Sequence, residues 1–420
     1  MSGQKLLERE EAATEKIVTD ANVPEALLKT AEKQMMPPEV VVNKKINKIP
    51  SGRNYGIELL RILSMLFIIM LHVINFGGAF YYNSGVYFPV NEDIFMKYKV
   101  MNIMLAFFMC AVNCYALISG YVSCKSKFRI SKVIILWLTV VAVNGMMYGL
   151  SYLYNPEWVA GYDVELIYTP LSSEQYWYFT AYLGLMIIMP ALNAAVNNLP
   201  KKQFGGMLIG MFVFFSLFPC YTEEDIFLTH TGYSMLWLVF MYLTGAYFKL
   251  HFSTEKKIPF FKTICGAVYV ISCLAMAFYR FGAEEAEFVK TGVYFPLSEH
   301  YIYTSPFVVI ASVSLFLMFV NINIKEGIFA KIISFVSSST FGVYLVHLNS
   351  LVVTYIITGR FVEQAQKTYI EMALSIVYAG IVLFVISMAF EKVRQLLFKI
   401  LFIDKLISLL DKIKLPQKRK

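Results

Sequence analysis

Polar and apolar positions divide this chain into three stretches. Residues 1–52 are polar and charged. Ten apolar runs follow, at about 56–77, 100–122, 131–153, 176–197, 203–220, 232–250, 259–280, 304–323, 332–357 and 369–390. Residues 391–420 return to a mixed pattern. Crossing a bilayer as an α-helix takes roughly 20 predominantly apolar residues, and each run is near or above that length. The pattern predicts an all-α polytopic bundle of ten transmembrane helices over 53–390. In the leader, 4–18 and 24–35 read as helices, with Asn22 a cap before Pro24 and Met36-Pro37-Pro38 a stop. The leader is expected to be loosely ordered. In the tail, Leu396, Leu397, Ile400, Leu401, Leu406, Leu410 and Ile413 recur at helical spacing, with Lys392, Lys399, Lys405 and Lys412 on the other side. That predicts an amphipathic helix lying in the membrane interface; docking to a partner is the alternative.

Charge gives the bundle an orientation. Of the 37 Lys and Arg, 30 fall in the leader, the tail and every second connector; six fall in the remaining connectors, and Arg61 lies inside the first run. Those remaining connectors carry acids instead, among them Glu92, Asp93, Glu223, Glu224, Asp225, Glu284, Glu285 and Glu287. Basic residues near helix ends favour the cytoplasmic side, so both termini are expected there. An even number of helices agrees with this. The net charge of +8 is then a topology signal with anionic membrane lipid as its partner, and a nucleic-acid partner is not expected.

Composition strengthens the membrane reading. Hydrophobic residues make up 58% and charged residues 16%, with mean hydropathy +0.58; soluble domains run at about 45–50% and about 25%. The six cysteines, Cys110, Cys114, Cys124, Cys220, Cys265 and Cys273, mostly lie in apolar runs. They have neither zinc nor disulfide-framework spacing and read as small buried hydrophobes. No metal site is expected. His230, His251 and His300 fall in connectors with no partner at metal spacing. No secretory signal precedes the first run, so the leader is expected to stay in the cytoplasm.

Candidate chemistry begins with the first run. Ionisable residues inside a membrane helix are costly and so are functional candidates. Arg61 and His72 are eleven residues apart, which is about 1100°, or roughly 20° past three full turns, and about 16 Å along the axis. They share one face. Glu58, three residues before Arg61, can pair with it. One polar stripe therefore runs from Glu58 and Arg61 at the inner end to His72 beyond the midplane. A bland account remains open: Arg61 snorkels, and His72 bonds a neighbouring helix. Two costly residues on one face favour function, and histidine is suited to proton transfer near neutral pH.

An arginine, ten residues and a histidine on the first helix resemble the integral membrane acyltransferases of family 3. The resemblance extends to Glu58, Ile118-Ser119-Gly120-Tyr121 ending the second run, Trp177-Tyr178-Phe179 opening the fourth and Tyr344-Leu-Val-His347 in the ninth. It includes Arg129-Ile-Ser-Lys132 entering the third run, where the family usually has a second arginine; lysine keeps the charge but not two-pronged phosphate binding. The likeness covers about 53–390 and shares the ten-helix plan.

The resemblance implies an acyl group, most often acetyl, taken from cytoplasmic acyl-CoA. The group passes to a hydroxyl of an extracytoplasmic or lipid-linked glycan, in a multi-pass protein of the cell membrane. Acyl-CoA is the donor substrate and no bound cofactor is expected. His72 is expected to act as general base or transient acyl carrier, with Arg61 orienting the donor and Glu58 fixing Arg61. Arg129 and Lys132, beside Lys125 and Lys127, are expected to bind donor phosphate, although plain positive-inside charge accounts for them equally. Some relatives carry a fused hydrolase-like domain; none is expected in the residues after the tenth run. His347 either lines the same cavity or makes an interhelical hydrogen bond. Asn113 and Ser119 read as interhelical polar contacts, and Trp177, Tyr178 and Tyr182 as interfacial belt residues whose rings also suit sugars. Two other functions stay open. A transporter of polysaccharide or lipid-linked sugar is one, but Pro190 interrupts the fourth run without a matching break in a second half. A non-catalytic assembly subunit is the other, and it leaves the Arg61–His72 stripe unexplained.

Overall fold

Asn54 starts the first helix. Its side-chain oxygen accepts the Ile57 N–H at 3.2 Å, and its amide donates to the Val320 carbonyl at 3.0 Å. One residue thus caps a helix and ties it to another. This is a computed structural model, and it describes residues 53–78, 92–171, 174–222, 224–252, 259–291 and 302–412. The leader helices expected at 4–18 and 24–35, and His300, lie outside these residues.

The described chain is helical. The main elements are α1 (Tyr55–Phe76), α2 (Glu92–Phe108), α3 (Ala111–Ser123), α4 (Ile130–Tyr154), α5 (Trp177–Asn198), α6 (Lys201–Phe212), α7 (Met235–His251) and α8 (Phe261–Thr291). They are followed by α9 (Pro306–Val320), α10 (Ile328–Ser337), α11 (Thr340–His347), α12 (Tyr369–Ile400) and α13 (Ile403–Ser408). Each of the ten apolar runs is helical. Among the described residues, eight stretches are long and apolar enough to cross a membrane. The other two, α7 with 17 residues and α9 with 15, fall below the roughly 20 of a full span. The protein is an all-α polytopic membrane bundle.

The second and ninth runs are each two helices. α2 passes to α3 through a turn at Met109-Cys110. α10 stops at Ser337 and α11 restarts at Thr340. Here Ser337, Ser338 and Thr340 turn their hydroxyls back onto carbonyls of the preceding turn, at 3.3, 2.8 and 3.0 Å. Such local bonding competes with the helix ladder. By contrast α5 runs unbroken through Pro190.

α1 is the hub. It packs against α2, α3, α9, α10, α11 and α12. The spanning window of α1 is 56% buried and that of α2–α3 is 72%, against 11% for the stretch containing α6, so the first two runs form the interior. α3 packs closely on α7. A side chain at Gly120 would collide with the Tyr242 carbonyl, and one at Gly245 with the Leu117 carbonyl; glycine lets the two backbones touch. Nearby, Trp237 Nε1 donates to Asn113 Oδ1 at 2.8 Å, and Asn113 Nδ2 donates to the Tyr303 carbonyl at 2.9 Å. Asn113 is therefore the interhelical polar contact expected of it.

Several connector residues lie elsewhere than the apolar runs suggested. Lys97 is in α2 and Arg280 in α8, and both are buried. α8 continues to Thr291, so Arg280 lies within the helix and not in a connector. Five cysteines are buried, but Cys220 is exposed.

The expected division at 390/391 falls inside α12, which continues to Ile400. The chain turns at Phe402, in the left-handed region at φ 54°. It then returns so that Asp411 accepts the Ser131 hydroxyl at 2.6 Å and the Ser131 backbone N–H at 3.1 Å. This caps the first turn of α4. Leu401, Phe402, Leu406 and Leu409 are exposed, as are Lys399 and Lys405. The hydrogen bonds from Ser131, with Arg129 and Lys132 close by, hold the Asp411 carboxyl below its ordinary range. The contact is therefore fully present above the unfolded carboxylate value of about 3.9 and is lost as pH falls through the lower folded value. Asp411→Asn is expected to speed proteolytic nicking within 400–412 at neutral pH. Equal nicking of variant and wild type would contradict the cap.

Candidate active site

Arg61 and His72 line one cavity of about 360 Å³. α1 presents both from a single face, as eleven helical steps require. Arg61 Nη1 lies 3.2 Å from each oxygen of Glu58. Glu58 is buried at 6% exposure, so its charge is held in place by a cation rather than by water. Arg61 uses one of its nitrogens for this pair; Nη2 and Nε make no hydrogen bond among the described residues. Tyr115, on α3, donates its hydroxyl to the Arg61 carbonyl at 2.7 Å and also lines the cavity.

At the other end, His72 Nδ1 is 3.1 Å from His347 Nε2. His347 is fully buried, and its Nδ1 is 2.7 Å from the Val343 carbonyl. The His72 ring stacks on Phe76, 5.2 Å between centroids at 10°. Behind His347 the chain breaks again at Leu348-Asn349. Asn349 caps the next turn through Leu351 at 3.1 Å, and its amide donates to Asn144 Oδ1 at 3.2 Å and to the Tyr176 hydroxyl at 3.3 Å. Gln175 donates to the Leu348 carbonyl at 3.1 Å. The end of α11, and with it His347, is thereby fixed from α4 and from the start of α5.

Aromatic rings form much of the cavity wall, Tyr178 lying beside Tyr115 and Tyr344 beside His347. Trp177, Tyr178, Tyr182, Tyr303 and Tyr344 all line it. Trp177 lies 4.5 Å from Tyr233 and 5.9 Å from Tyr303 between centroids, stacked on the latter. The first three line the cavity, where α5 begins against Tyr303 and Tyr344. Ser119 bonds its own helix, donating to the Tyr115 carbonyl at 2.9 Å, and lines the cavity.

Four separated motifs therefore meet here: Arg61, His72, Ser119, Trp177, Tyr178 and Tyr344 line the cavity, and His347 touches His72 from behind it. Arg129 and Lys132 are not among the lining residues. Both are exposed, and Lys132 is one turn before Leu136, which does line the cavity. Tyr115, Asn144, Tyr176, Tyr303 and Asn349 were not singled out from the sequence. A signal for them existed, since each puts a hydrogen-bonding group within or beside an apolar run, but their partners are distant in the chain. Among the described residues no group of three or more His, Cys, Asp or Glu is placed to hold a metal.

The family model for the acyltransferase 3 domain, described as an acyltransferase domain, matches residues 54–392. The chain belongs to acyltransferase family 3. No curated protein and no solved structure matches it. The family match begins at the Asn54 cap and ends within α12, so all the acyltransferase motifs gathered at the cavity lie inside it. This member of acyltransferase family 3 is thus a multi-pass membrane acyltransferase.

Proposed function

We propose that the protein moves an acyl group, most readily acetyl, from acyl-CoA to a hydroxyl of a glycan, either extracytoplasmic or lipid-linked, at the cell membrane. The observation that carries this reading is the single cavity reaching from Arg61 to His72, about 16 Å apart along α1. The Lys/Arg distribution supports a cytoplasmic Arg61 end. A donor confined to the cytoplasm then enters beside Arg61, with Lys132 and Arg129 drawing its phosphates to the approach. The acceptor waits among the rings around Trp177. Aromatic faces suit the C–H faces of sugar rings, which supports a glycan over a charged acceptor.

Chemistry takes place at the His72 level. The imidazole takes the proton of the acceptor hydroxyl while that oxygen bonds to the thioester carbonyl carbon. The tetrahedral intermediate collapses, the C–S bond breaks, and the imidazolium returns its proton to the departing thiolate. The products are an O-acyl ester and CoA thiol. Arg61 orients the donor through the nitrogens that Glu58 leaves unused.

Membranes incubated with acetyl-labelled acetyl-CoA test this reading. Label in a base-labile ester on glycan is the expected result. Absence of label, together with altered glycan export in a strain lacking the protein, would replace it with the transporter reading.

A further inference from the structure

We infer that His347 is a positioning residue that fixes the tautomer of His72, so that Nε2 of His72 is the nitrogen that accepts the proton. This rests on the reading of His72 as the base. Two contacts set the tautomer. A carbonyl oxygen only accepts hydrogen bonds, so the 2.7 Å contact between His347 Nδ1 and Val343 requires a proton on Nδ1. The imidazole of neutral His347 then has its lone pair on Nε2. That nitrogen faces His72 Nδ1 at 3.1 Å and must accept, so His72 carries its proton on Nδ1. In neutral His72 the lone pair is left on Nε2, on a ring that lines the cavity.

The relay begins at a backbone carbonyl, which cannot change its role. Its direction is therefore set by α11 itself. Val343 is four residues before His347, so a helix-interior carbonyl takes a second donor. Asn349, held by Asn144 and Tyr176, stops the helix two residues after His347 and keeps the ring from sliding along it. Without an acceptor at the His347 position, His72 is free to hold its proton on either nitrogen, and the form with hydrogen on Nε2 cannot take one from the acceptor.

Two substitutions separate this role from plain packing. His347→Gln places an amide oxygen near the position of Nε2 and can still accept from His72. His347→Asn reaches only the position of Nδ1 and cannot. His347→Asn is expected to lower kcat by about 10²-fold or more, with KM for the donor changed less than about threefold because donor contacts remain. His347→Gln is expected to recover at least about tenfold of that loss. Equal kcat in His347→Asn and wild type would overturn the inference while leaving His72 as base, provided His72→Ala is inactive. Equal loss in both His347 variants would overturn it as well. Activity retained in His72→Ala would instead sink the reading on which it rests. Nitrogen-15 NMR of the wild type, with its five histidines labelled and His72 assigned by its loss in His72→Ala, reads the tautomer without a change at His347. Protonated Nδ1 and bare Nε2 are expected for His72; the reverse would overturn the inference.

Discussion

His72→Ala is expected to reduce acyl transfer by about 10²–10⁴-fold, the usual contribution of a positioned acid–base group, with little change in folded yield. In the proposed mechanism the imidazole acts on the proton in flight and not on ground-state binding, so the effect is expected on kcat. Little stability is lost because His72 is only partly buried and faces a cavity. Its deletion enlarges an existing space rather than opening a new one in a packed core. One cost remains: His347 Nε2 loses its partner, and an unmet buried acceptor costs about 1–3 kcal/mol. His72→Asn, whose amide reaches the position of Nδ1 and so keeps a donor facing His347 Nε2 but cannot cycle a proton, is expected to be equally inactive and more stable than the alanine variant. Steady-state kinetics on purified protein, with thermal unfolding of the same samples, measures both parts. Activity within about tenfold of wild type in either variant would remove His72 from the chemistry.

The second large effect is on stability. Gly120→Ala and Gly245→Ala are each expected to lower the unfolding temperature in detergent sharply, because the added methyl meets a backbone carbonyl on the facing helix. Backbone cannot step aside as a side-chain tip does, and overpacking of this kind costs about 1–3 kcal/mol or more. The two lie in one interface, so the double variant is expected to lose less than the sum. Gly149→Ala is the control. It sits inside α4 with nothing near its added methyl, and alanine is the better helix former by about 1 kcal/mol, so no loss is expected. Comparable losses at all three glycines would mean that helix propensity, and not close approach, is being measured. The same collision explains why a Ser-Gly-Tyr segment ends the second run: Ser119 lines the cavity, and Gly120 lets α7 close against α3.

Much of this architecture is legible in the sequence. The apolar run at 56–77 marks the first helix, Tyr55–Phe76. The shared face of Arg61 and His72 followed from 100° per residue, and the Glu58 pair from three-residue spacing. Hydropathy alone could not show the breaks at Cys110 or at Ser337–Thr340, because a run of apolar residues looks the same whether one helix or two passes through it. The serine cluster carried the signal, since its hydroxyls bond the chain locally. The pairing of His72 with His347 spans 275 residues and depends on which helices are neighbours. A sequence motif brings the second histidine to notice without saying what it touches. The tail shows the opposite case: its amphipathic spacing was plain, but the turn at Phe402 and the Asp411 cap on α4 are tertiary facts.

In the proposed function one cavity joins a donor on one side of the membrane to an acceptor on the other. Oriented proteoliposomes test it most directly. Labelled acetyl-CoA is supplied only to the side bearing the Lys/Arg-rich connectors and an oligosaccharide acceptor only to the opposite side, with His72→Ala as control. The account predicts base-labile label on the acceptor across the bilayer with wild type and none with the variant. Label that appears only when donor and acceptor share one side would contradict it.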